Sequence, residues 1–156
     1  MRTLERDTKM INVKIKLIDA GKMPRKGTAG AACYDCYARE DVILDNTKPK
    51  LIPLGFAMAI PEGYCAKIYP RSSTGLKTRI RMPNGTGIID CDYRGEVAFI
   101  AELKHIDNNQ SHVYIPAGER ICQMMIEKVL DTEFEVVEEL PETERGTNGY
   151  GSTGRA

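Results

Sequence analysis

The sequence predicts an all-β domain, a sandwich or barrel. Three observations support this. Apolar and polar residues alternate in short runs, clusters of Gly, Pro, Asn and Asp punctuate those runs, and only one short stretch reads as helix. INVKIKL (11–17) alternates at every step, the pattern of a half-buried strand. Similar runs follow as DVIL from 41, LIPLGFAMAI from 51, YCAKIYP from 64, GIIDC from 87, EVAFIAEL from 96, HVYIPA from 112, RICQMMIEKVL from 120 and EFEVVE from 133. KMPRKG, DNTKP, IPEG, MPNGTG, DNNQS and PAGE lie between them as turns. RICQMMIEKVL could be helical, but PAGE and DTEF on either side are turn-like and favour a strand. The one predicted helix lies near Ser72 to Thr78.

The 156 residues suggest one domain, large enough to bury about 70% of its unfolded surface. Residues 1–10 read as an extension, 11–140 as the β domain, and 141–156 as a Gly-rich arm set off by Pro141. Lys plus Arg and Asp plus Glu are both 22, and this balance argues against bulk binding to nucleic acid or anionic membranes. The charge is uneven, however. RSSTGLKTRIR (71–81) carries Arg71, Lys77, Arg79 and Arg81 without an acid, and could face an anion. DTEFEVVEELPETE (131–144) carries seven acids and no base, as expected of a solvated strand face and linker.

MRTLERDTKM lacks the apolar core of a secretory signal, and no run approaches the ~18 apolar residues of a spanning helix. Five cysteines, 33, 36, 65, 91 and 122, read as reduced thiols of a cytoplasmic protein, or a nuclear one in a eukaryote. CYDC at 33–36 is a lone CxxC. On a strand its two thiols would point to opposite faces, so zinc or redox use is disfavoured. A phosphate-cradling GxxxxGK[ST] loop and the HxE…PCxxC zinc signature are absent, and no GxGxxG opens a helix after a strand. GYGSTG has Tyr150 where a nucleophile elbow needs glycine.

Four stretches remain. NGTGIIDCDYRGEV (84–97) reads as turn, strand, turn and strand, a hairpin with DYRG near its tip. Asp90 ends an apolar strand, where a carboxylate is either a turn cap or a general base or metal-linked acid. YPRSSTGLK (69–77) leads a strand into a helix start bearing Arg71, Ser72 and Ser73, either an anion site or a simple cap. AACYDCYA places Asp35, and PAGERICQMMI places Gln123, inside apolar strands where each needs a partner. The terminal RGTNGYGSTGRA is either a frayed tail or an arm that closes on a ligand. Arg, Ser, Thr and glycine N–H groups suit phosphate, and the ring suits a base.

In order, A-x-Y-D, P-R-S-S, N-G-x-G-x-I-D-x-D-Y-R-G-E, A-G-E-R-I-x-Q and R-G-x-x-G-Y-G-S-T-G resemble the five motifs of the homotrimeric dUTPases. The resemblance covers about residue 11 to the end, and the third and fifth motifs are its specific part. It implies a distorted jelly-roll-like β-barrel or sandwich (a β-clip), with one short helix and a flexible C-terminal arm. It implies a homotrimer whose active sites are shared between subunits. The implied reaction is hydrolysis of dUTP to dUMP and pyrophosphate with Mg²⁺, keeping uracil out of DNA and supplying dUMP for dTMP synthesis.

Carried over residue by residue, Asp90 resembles the base that activates water for attack on the α-phosphorus. Most of the acceleration would then come from positioning and electrostatics. Tyr93 resembles the ring beneath the deoxyribose that leaves no room for a 2′-hydroxyl. Asn84 and the backbone of Gly87, Ile88 and Ile89 resemble the segment that reads uracil. Arg71, Ser72, Ser73 and Gln123 resemble phosphate contacts. Asp35 resembles an outer-shell acid acting on Mg²⁺ through water. Arg145 resembles the γ-phosphate grip, Tyr150 the ring over uracil, and Ser152 and Thr153 further phosphate contacts.

Cys33, Cys36, Ser73, Asn148 and Tyr150 depart from the commoner residues of the pattern, and none removes a reactive group. Three other readings stand beside this one. They are the related dCTP deaminases, which lack the Gly-rich tail, a nucleotide-sensing regulator on the same scaffold, and a ligand-binding jelly roll without chemistry.

Overall fold

A computed structural model describes residues 10–104 and 111–149. Its elements are β1 (Lys14–Leu17), β2 (Tyr34–Tyr37), β3 (Val42–Asp45), β4 (Lys50–Pro53), β5 (Phe56–Ala59), β6 (Tyr64–Pro70), α1 (Ser72–Lys77), β7 (Ile80–Arg81), β8 (Gly87–Ile89), β9 (Ala98–Leu103), β10 (His112–Ile115) and β11 (Arg120–Lys128). They pair as four antiparallel sheets, in the orders β1-β5, β3-β10, β2-β11-β6-β8 and β4-β9-β7. The all-β prediction holds, with one short helix, and the sheets are not closed into a barrel.

Alternation decides which face each strand buries. In β9, Phe99, Ala101 and Leu103 are buried between less buried neighbours. β11 breaks the rule once. Its register shifts between Arg120 and Cys122, a bulge that lets the adjacent Ile121 and Cys122 both turn inward. Phe56, Phe99, Leu44, Ile52, Leu54, Ile68 and Ile115 form one core shared by all the sheets, with Ile15 of β1 packed against it.

LIPLGFAMAI divides into β4 and β5 because Gly55 turns the chain at φ +74°. Gly21 packs against that turn so closely that a Cβ there would lie 1.9 Å from the Gly55 oxygen. The helix α1 is only six residues long, too short to persist alone. Its buried Thr74 donates through Oγ1 to the Ile121 carbonyl at 3.2 Å, tying it to β11.

EFEVVE is not a strand: residues 131–140 have no ladder partner and are exposed. Phe134 (92% exposed) and Val136 (98%) alternate with acids as a half-buried strand should, yet they join none of the sheets of this chain. The last described strand ends at Lys128, and Val129 N–H donates to the Gly63 carbonyl at 2.8 Å. No described helix is long and apolar enough to cross a membrane.

Candidate active site

One end of the four-stranded sheet gathers charge. Across β2, β11 and β6 the register aligns Asp35, Gln123 and Tyr69 in one row, so the three share a face. The next row, Cys36, Cys122 and Pro70, puts both thiols into the core, so alternation leaves Asp35 and Gln123 on the outer face. Asp35 accepts from Arg71 Nε at 3.0 Å and from Arg120 Nη1 at 3.2 Å, and Arg71 Nη1 also donates to the Arg120 carbonyl at 3.2 Å. Gln123 Nε2 donates to the Pro70 carbonyl at 3.1 Å, fixing the end of β6 where Arg71 emerges. The strand-buried polar residues thus find their partners: Gln123 on backbone, Asp35 between two guanidinium groups. Arg120 was not singled out from sequence, although it lies within PAGERIC.

α1 starts beside this cluster. Arg71 itself is the N-cap residue, in extended backbone, and no side chain caps the helix. Of the two readings of this helix start, simple capping by Ser72 or Ser73 does not occur, and the first turn holds no acid. The basic run 71–81 does not converge on one anion. Arg71 turns to Asp35, Arg79 is buried with Nη1 toward the Lys104 carbonyl, and Arg81 donates to the Thr78 and Ile80 carbonyls.

The second cluster surrounds β8. This strand pairs with β6 and is the edge of its sheet, so its outer backbone groups are free to pair with something else. It does not form a hairpin with β9, contrary to the sequence reading: β9 belongs to another sheet, between β4 and β7. Residues 90–97 therefore cross between sheets, and that crossing makes room for a groove. Leu51, Ile88, Ile89, Asp90, Tyr93, Glu96, Ala98 and Ile100 line a space of about 230 Å³. A turn closed by Tyr93 N–H to the Asp90 carbonyl, 3.2 Å, brings Asp90 and Tyr93 into it together. Arg94 Nη1 donates to the Cys91 and Tyr93 carbonyls and braces the same turn.

Gly95 is required by the ring: a Cβ there would fall 2.2 Å from the Tyr93 hydroxyl oxygen. Asn84 is exposed at the approach to β8, where its Nδ2 donates to the Thr86 carbonyl at 3.3 Å beside Gly85 at φ +68°.

These clusters do not meet within one chain. Ile89 pairs with Ala66, whereas Arg71 follows the far end of β6. Five residues at about 3.3 Å each put Ile89 and Arg71 some 16 Å apart along the strand, and Asp90 follows Ile89 on the side away from Arg71. Arg145 is exposed in a short turn, its Nε donating to the Asn148 carbonyl at 2.9 Å, and no described hydrogen bond joins residues 130–149 to the sheets. Tyr150, Ser152 and Thr153 lie outside the described residues.

All five cysteines are free, and among the described residues no His, Cys, Asp and Glu converge as a metal site. Burial pushes the Cys33 and Cys122 thiols up, with neighbouring Cys36 adding to the effect, so both are poor thiolates. Asp35 still suits an outer-shell role, because each of its oxygens has a lone pair beyond the one facing an arginine.

The dUTPase family model matches residues 19–154. The deoxyuridine 5′-triphosphate nucleotidohydrolase of Finegoldia magna is 37% identical over 146 residues, 91% of this chain and 99% of that protein. The Staphylococcus bacteriophage 80alpha dUTPase with dUpNHpp has a similar structure, with a TM-score of 0.81 at 27% identity, covering 94% of this chain and 100% of that one. A variant of the dUTPase from phage phi11 of S. aureus, which coordinates a structural Mg(II) ion, shares the fold with a TM-score of 0.73 at 23% identity, covering 83% and 98%. With a family match running through nearly all of its sheets and both polar clusters, this chain belongs to the dUTPase family.

Proposed function

We propose that this chain hydrolyses dUTP to dUMP and pyrophosphate. The observation that carries the reading is the groove at the end of the edge strand β8, which holds a carboxylate, Asp90, beside an aromatic ring, Tyr93. The free edge of β8 offers main-chain donors and acceptors to the uracil edge, with Asn84 beside it. Tyr93 underlies the deoxyribose and blocks a 2′-hydroxyl. Asp90 takes a proton from a water whose oxygen bonds to the α-phosphorus, and the bond from that phosphorus to the bridging oxygen breaks to release pyrophosphate.

The phosphate chain lies on Arg71, Ser72, Ser73 and Gln123. Asp35 would hold Mg²⁺ through water, and the ion would supply positive charge to the phosphates. Arg145, Tyr150, Ser152 and Thr153 close over the nucleotide and exclude water.

The site is built from several copies. Asp90 and Arg71 lie at opposite ends of β6, so each nucleotide takes its base-reading half and its phosphate half from different subunits. The exposed Leu130, Phe134, Val136 and Leu140 support an arm that docks on another subunit of a homotrimer. Free thiols support a reducing compartment such as the cytoplasm.

The test is a product assay with Mg²⁺ on dUTP, dCTP, dTTP and UTP in parallel. Pyrophosphate and dUMP from dUTP alone are expected. Deaminated dCTP would place the activity in the sister branch, and no turnover of any of the four would leave a binding role.

A further inference from the structure

The ring of Tyr93 is held from behind. Its hydroxyl donates to the Glu96 carbonyl at 3.2 Å, and only the absence of a side chain at Gly95 lets it do so. The Glu96 carboxylate is itself anchored. Oε1 accepts the Gly55 N–H at 2.9 Å and lies 3.2 Å from Arg39 Nε in an ion pair. Gly55 is buried at φ +74°, so this N–H depends on Glu96 for its acceptor.

Arg39 also bridges outward, to Asp19 at 3.0 Å and Glu40 at 3.1 Å, and its own N–H donates to the Pro53 carbonyl at 2.9 Å. Beyond Glu96, Val97 is stitched to Phe56 and Leu54 by backbone bonds of 2.8 and 3.0 Å. A chain of contacts therefore runs from the β4–β5 turn through Arg39 and Glu96 to the Tyr93 hydroxyl. Tyr93 itself is 46% exposed.

We propose that Glu96 and Arg39 are positioning residues that set sugar selectivity by fixing how far the Tyr93 ring stands into the groove. The inference rests on Tyr93 being the wall against a 2′-hydroxyl. Steric exclusion discriminates only if the wall cannot yield. A ring free to tilt by about 1 Å would admit the extra oxygen, and misplacements of that size change rates by about 10²-fold.

The experiment measures kcat and KM for dUTP and UTP in the full-length protein and in Glu96→Gln, Glu96→Ala, Tyr93→Phe and Tyr93→Ala. Glu96→Gln keeps an acceptor for Gly55 and removes the charge facing Arg39, so it remains informative if Glu96→Ala does not fold. The expected result is a fall of at least tenfold in the dUTP to UTP ratio of kcat/KM for Glu96→Ala and Tyr93→Phe, driven by a rise for UTP. A smaller fall is expected for Glu96→Gln. Combining Glu96→Ala with Tyr93→Phe should add little, because both cut the same tether.

Selectivity unchanged in Tyr93→Ala would show that Tyr93 is not the sugar wall. Selectivity lost in Tyr93→Ala but kept in Tyr93→Phe and both Glu96 variants would overturn the tether itself. Equal losses for dUTP and UTP in the Glu96 variants would reduce Glu96 to a structural residue and overturn it as well.

Discussion

Asp35→Asn is the most informative single change on the phosphate side. Asp35 and Arg71 are 18% and 24% exposed and 3.0 Å apart, so their charge-assisted bond is largely shielded from water. Such a bond contributes about 1.5–3 kcal/mol. The bond to Arg120 is longer, 3.2 Å, and its arginine is 53% exposed, so it adds at most about 1 kcal/mol. Asparagine keeps one acceptor oxygen and turns an N–H₂ donor toward the other guanidinium. It can serve one arginine only, and without charge. The expected loss is about 2–4 kcal/mol, or a fall in Tm of roughly 5–15 °C for a chain of this size.

If Asp35 orients Arg71 for its proposed phosphate role, kcat/KM for dUTP should drop by about 10²-fold once that bond is lost. Thermal unfolding at fixed protein concentration reads the first effect. Steady-state rates across a Mg²⁺ titration read the second. If Asp35 acts chiefly by holding Arg71, excess Mg²⁺ does not restore the rate. Full rescue by Mg²⁺, or a Tm within about 2 °C of the parent, would refute the reasoning.

Asp90→Asn should still bind dUTP in a calorimetric titration but lose about 10²–10⁴-fold in kcat, and near-normal turnover would remove its role as base. Deleting residues 145–156 should slow hydrolysis strongly while light scattering still reports a trimer; unaltered kinetics would make the tail a frayed end. Asp41 gives a pH-dependent test of the loop before β11. Its carboxylate accepts the Ala117 N–H at 2.8 Å, and that bond first, then the Tyr114 hydroxyl, holds it below the ordinary carboxylate value. A depressed folded value stabilises the fold above the unfolded one and ceases to do so as pH falls through the folded value. Urea midpoints of the parent and Asp41→Asn should therefore differ at pH 7 and begin to converge as pH falls below about 4. A gap unchanged down to pH 2.5 would contradict this.

Composition and alternation alone determined the strand-rich class, because period-two patterning is a local property that each strand carries in itself. β2, β6, β9 and β11 were legible this way, as was the helix after Pro70. The motif residues were legible too, since Asp35, Gln123 and Asp90 are polar groups placed where an apolar strand would not otherwise tolerate them. Partner choice was not legible. GIIDC and EVAFIAEL are adjacent in sequence and look like a hairpin, yet β8 pairs with β6 and β9 with β4 and β7. Pairing depends on which edges the whole core leaves open, and no window of sequence contains that information.

EFEVVE failed for the complementary reason: its pattern is that of a strand, but a strand needs a partner, and the segment joins none of the sheets of this chain. Arg120 and Glu96 look like ordinary surface charges until the register brings Arg120 to Asp35 and the sheet crossing brings Glu96 to Gly55 and Arg39. The sequence alone singled out Asp90 and Arg71 as candidates. Only the tertiary structure decided that they lie at opposite ends of β6, because strand register sets distances that chain order does not encode.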